Sequence, residues 1–86
     1  MSEQLSDGQK QAVDRNRTYA AHRLCVHAGV KVDVEIEDYK DLVVKKEGRE
    51  LARVRLVIPS DEETVGLAIQ HAVLEAARTI QEAKGN

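Results

Sequence analysis

An 86-residue chain makes one domain. A domain this short buries only roughly 60% of the surface its unfolded form exposes, so its stability is marginal unless it associates. The net charge of -2 gives no overall pull toward nucleic acid or an anionic membrane, and a single Cys excludes an internal disulfide framework.

Phe and Trp are absent and Tyr occurs twice, which leaves Val, Leu, Ile and Ala to form the core. The N-terminus lacks the basic and apolar regions of a secretion signal, and no apolar run approaches bilayer length. These features set the expectation of a soluble, cytoplasmic protein without contact to a membrane.

Residues 1–6 read as a disordered tail and residues 7–84 as a single α+β domain. Ser6-Asp-Gly-Gln9 has the form of a capping box, and a helix follows to about Ala28, with Gly29 placed to end it. The apolar face of this helix is thin: Val13, Ala20, Ala21, Leu24 and Ala28. Its polar face is basic, carrying Lys10, Arg15, Arg17 and Arg23. Val30 to Glu37 alternates apolar and charged residues without a lapse, the period of a strand with one covered face. Asp38 to Asp41 reads as a turn and Leu42 to Lys46 as a second strand with Leu42 and Val44 inward. Lys45 to Glu50 reads as a polar hairpin loop in which Gly48 takes positive φ. Leu51 to Ile58 forms the third strand, with Arg53 and Arg55 outward. Pro59 ends the sheet, and Ser60-Asp-Glu-Glu63 suggests a second capping box with Ser60 as the cap. The last helix runs to about Ala83. The predicted order is α-β-β-β-α, a three-stranded antiparallel meander with two helices packed on one face.

The last helix carries more apolar residues than one buried face needs. Val65, Ile69, Ala72, Ala76 and Ile80 form a stripe at helical spacing, and Leu67, Val73, Leu74 and Ala77 widen it around the cylinder. This surplus predicts an oligomer interface at Leu67, Val73, Leu74 and Ala77.

The chemistry-bearing residues do not assemble into a recognisable set. His22 and Cys25 lie three apart on the first helix, while His27 and His71 point elsewhere. Zinc needs three or four ligands at set spacings, so no metal site is expected. Cys25 with His22 or His27 would make a thiolate pair, but mid-helix and without an orienting third group; a core Cys is the simpler reading. Asp33, Glu35, Glu37, Asp38 and Asp41 lack the ligand pattern of a calcium loop and suit a solvated strand face. No catalytic residue and no cofactor is expected.

The element order over residues 7–84 resembles the double-stranded-RNA-binding domain in topology. That family holds RNA with its first helix, a loop between its first two strands and a Lys-Lys-x-Ala-Lys stretch at the start of its second helix. Here Ser60-Asp61-Glu62-Glu63 stands at the last place, and acids there repel phosphate. The loop is Asp38-Tyr39-Lys40-Asp41, without the family's Gly-Pro-x-His.

Two functional expectations follow. The first is a non-enzymatic protein-binding module, a homo-oligomer and most simply a dimer, that regulates or inhibits a larger protein, as small chains carried by phages often do. The alternative is binding of nucleic acid or a nucleotide through Lys10, Arg15, Arg17 and Arg23.

Overall fold

The structure is a computed structural model and describes residues 5–85. Residues 1–4 of the expected tail lie outside the described residues. Ser6, the last residue of that tail, caps the first helix as its capping-box pattern implied.

Helix α1 spans Asp7–Ala28. Its capping box is formed in both directions. The Ser6 hydroxyl accepts from the Gln9 N–H at 3.1 Å, and the Gln9 side-chain oxygen accepts from the Ser6 N–H at 2.8 Å. Gly29 ends the helix in the left-handed region with φ 74, and its N–H donates to the Cys25 carbonyl at 2.9 Å. The strands are β1, Asp33–Glu37; β2, Asp41–Lys46; and β3, Arg49–Arg55. They pair antiparallel in the order β1-β2-β3. Helix α2 spans Glu62–Gly85.

Two of the strand boundaries differ from the sequence reading because pairing, not alternation, sets them. The Val30–Glu37 pattern implies a longer first strand, but the pairing with β2 ends where Asp33 meets Lys45. Val32 is held instead by Cys25: the Val32 N–H donates to Sγ at 3.3 Å and the thiol donates to the Val32 carbonyl at 3.6 Å. At the far end, β3 stops at Arg55, opposite Asp41, and one further bond from the Leu56 N–H to the Lys40 carbonyl closes the ladder.

The second hairpin is tighter than the polar loop expected at Lys45 to Glu50. Glu47 and Gly48 both take positive φ, 53 and 81. A two-residue turn of this kind matches the right-handed twist of the strands, so Lys45, Lys46, Arg49 and Glu50 join the ladder. A register shift after Val44 leaves Leu51 as an extra residue on β3. The first hairpin also turns through the left-handed region, at Asp38 and Tyr39, with the Lys40 N–H donating to the Glu37 carbonyl at 2.9 Å.

The cap of α2 is Asp61, not Ser60. Asp61 Oδ1 accepts from the Glu63 N–H at 3.1 Å, and its carbonyl accepts from the Thr64 N–H and hydroxyl. A carboxylate makes the stronger, charge-assisted bond at the positive end of the helix.

Alternation then does what the sequence implied. Val34, Ile36, Leu42, Val44, Ala52 and Val54 face the helices, in cross-strand register. They meet Val13, Ala20, Leu24 and Ala28 of α1 and Val65, Ile69, Ala72, Ala76 and Ile80 of α2. The helices lie side by side and run in the same direction. The Glu62 side chain rests on Gly8, Asn16 sits against Gly66, and Tyr19 and Arg23 adjoin Gln70 and Leu74. A side chain at Gly8 would displace the Glu62 carboxylate, which there complements the positive end of α1.

Among the described residues one polar residue is buried, Gln9, and it ties the two helix entrances together. Besides its part in the α1 cap, its amide donates to the Pro59 carbonyl at 2.7 Å. Gln9→Ala should destabilise the domain by about 1–3 kcal/mol, because the cap is lost and a covered carbonyl loses its donor. Gln9→Glu should also destabilise, since a carboxylate cannot donate to Pro59; urea unfolding measures both. In the second hairpin, Glu47→Asn should raise stability by about 0.5–1 kcal/mol, because Asn tolerates the left-handed conformation that Glu resists; a thermal melt checks this.

Candidate docking surface

The four interface residues expected on α2 divide into two pairs. Val73 and Ala77 are buried in the chain's own core, because α1 lies against that side of α2. They are not available to a second molecule. Leu67 and Leu74 remain 57% and 58% exposed. Seven residues apart, they stand in line on the outward side of α2. On the neighbouring helix Tyr19 and Val26, also seven apart, are 41% and 67% exposed. Tyr19, Arg23, Gln70, Val73 and Leu74 line a shallow hollow between the two helices. The outward side of the helix pair thus carries an apolar strip edged by arginine and amide groups. Tyr19 and Val26 were not singled out for this role from the sequence; their seven-residue spacing was the available signal.

The basic residues of α1 do not form one patch. Lys10, Arg15, Arg17 and Arg23 are all exposed. Lys10 and Arg17 share one flank, while Arg15 and Arg23 lie roughly 120–160° round the helix from them. Arg23 lines the hollow beside α2.

The opposite face of the molecule, the outer surface of the sheet, is held by ion pairs. Arg53 bonds Glu37 at 3.0 Å, Asp41 at 3.1 Å and Glu50 at 3.0 Å, and Lys45 lies 3.4 Å from Glu35. Hydrogen bonding to Glu50, and then to Glu37, raises the Arg53 guanidinium above its ordinary value. Pairing between acids of β1 and an arginine of β3 does not need the strands to be neighbours: Arg53 reaches over β2. Beneath it Val43, opposite Glu35 and Arg53 in register, is fully buried although it points away from the main core. The aliphatic stems of the charged side chains cover it.

His22 and His71 are exposed, and Cys25 is engaged with Val32. Among the described residues no group of three or more His, Cys, Asp or Glu is placed to hold a metal ion. No helix of the described residues is long and apolar enough to cross a membrane. Compared with known protein families, curated proteins and solved structures, the chain matches none.

The division of α2 into covered and uncovered apolar residues has a direct check. Val73→Ala should cost about 1–2.5 kcal/mol of stability, the loss of buried methyl groups. Leu74→Lys should stay within about 0.5 kcal/mol of the wild type in a dilute, monomeric sample. Denaturant titrations of the two variants measure the contrast.

Proposed function

We propose that the chain is a small, intracellular, non-enzymatic binding module that self-associates and acts by docking on a larger protein as its regulator or inhibitor. The observation that carries this reading is the strip of Tyr19, Val26, Leu67 and Leu74, left uncovered on the outward side of the helix pair. Tyr19 and Leu74 line one hollow together with Arg23 and Gln70, and an exposed apolar patch with a polar rim marks an association site.

Magnitudes bound the strength of the association. Covering the exposed halves of Leu67 and Leu74 in two copies contributes roughly 3–6 kcal/mol. Association itself costs about 4 kcal/mol or more in lost freedom of motion. The leucines alone therefore do not hold a stable dimer, and Tyr19, Val26 and polar contacts at the rim must add to them. With those contributions the proposed dissociation constant is about 1 to a few tens of micromolar.

The nucleic-acid reading draws less support. Lys10 and Arg17 face away from Arg15 and Arg23, so their charges do not sum on one surface. The entrance to α2 carries Asp61, Glu62 and Glu63, where phosphate would be repelled.

Sedimentation velocity at tens of micromolar should give a mass above that of one chain. The association should survive raised salt, as apolar burial does and phosphate binding does not. A strict monomer across that range removes the proposal.

A further inference from the structure

We infer that the occupant of the outward ridge of α2 is the same ridge of a second copy, laid antiparallel across a two-fold axis that passes between Gln70 and His71. This rests on the self-association proposed above and specifies its geometry.

The argument is the symmetry of the ridge. Leu67 stands as far before the Gln70–His71 midpoint as Leu74 stands after it, and Glu63 as far before it as Arg78 after it. Glu63, Leu67, Leu74 and Arg78 all lie within about 30° of one line along the helix. When two such helices meet antiparallel about that midpoint, Leu67 of each copy faces Leu74 of the other. Glu63 of each then faces Arg78 of the other. A two-fold interface requires this reciprocity, in which one patch complements itself. Among the described residues neither Glu63 nor Arg78 has an ion-pair partner within the chain.

Charge also selects the direction. A parallel arrangement would set Glu63 against Glu63 and Arg78 against Arg78. The antiparallel one pairs opposite charges and places the positive end of one helix near the negative end of the other. Shape agrees: the hollow lined by Tyr19, Arg23, Gln70 and Val73 lies beside Leu74, where Leu67 of the second copy would arrive.

The sheet edges are poorer candidates for a two-fold contact. Pairing β1 with its own copy sets the acids Asp33, Glu35 and Glu37 against one another, and pairing β3 with its own copy about Ala52 sets Arg49 against Arg55.

The test is a charge swap read by sedimentation equilibrium, with circular dichroism to show that each variant is folded. Glu63→Arg and Arg78→Glu should each raise the dimer dissociation constant about tenfold or more, since every substitution acts twice in a two-fold dimer. The double variant, Glu63→Arg with Arg78→Glu, should return it to within about threefold of the wild type. In addition, Leu67→Cys and Leu74→Cys chains, each in a Cys25→Ser background, should oxidise to mixed disulfide dimers faster than either does with itself. If the wild type is dimeric but the single reversals leave it unchanged, or the double variant is no better than the singles, this geometry is overturned while self-association stands. If the wild type is a monomer, both fall.

Discussion

The constraint on which this structure depends is that two parallel helices share one face of a three-stranded sheet without any large aromatic to fill the space between. The core is aliphatic, with Leu24, Leu42 and Ile69 its largest fully buried side chains. Such a core is dense only if the helices approach closely. Gly66 allows this, since the Asn16 side chain lies where a larger residue would stand. Gln9 fixes the arrangement at one end by joining the cap of α1 to the chain entering α2. Small buried residues, Ala12 and Ala20 on α1 and Ala77 on α2, let the layers settle together.

Everything about the candidate site follows from that arrangement. Once α1 lies beside α2, Val73 and Ala77 are used up in the interior and Leu67 and Leu74 are not. The same placement brings Tyr19 of α1 beside Leu74, with Val26 about two turns further along α1. The apolar strip is therefore a property of the helix pair rather than of either helix. Its polar neighbours, Arg23, Gln70 and Arg78, would supply the proposed association with the hydrogen-bonding and charged rim through which an interface selects its partner.

The two faces of the molecule are treated differently. The outer sheet face has an apolar residue too, Val43, but the chain covers it with its own charged side chains, and Arg53 binds acids contributed by all three strands. The outer helix face has no such cover. Exposed ion pairs add little stability individually, so the arrangement on the sheet is better understood as a roof over Val43 and as protection of the edge strands from pairing with other chains. The contrast between a closed face and an open one is what supports placing the proposed docking surface on the helices.

The sequence by itself determined the order of the elements, the inward and outward alternation of the strands, the first helix cap and the surplus of apolar surface on the last helix. Each is a local matter, set by a residue and its neighbours within a turn or a strand. The positive φ of Gly48 was legible for the same reason. What only the tertiary structure decided depends on where one element lies against another. Val73 and Leu74 are adjacent and equally apolar, and periodicity alone cannot say which of them α1 will cover. Ser60 and Asp61 both qualify as caps, and the path of the chain from Pro59 chose between them. Arg53 and Glu37 stand on strands that are not neighbours, and their pairing follows from the span of an arginine across the middle strand. Local chemistry writes the elements, while their mutual packing determines which apolar surface is left uncovered.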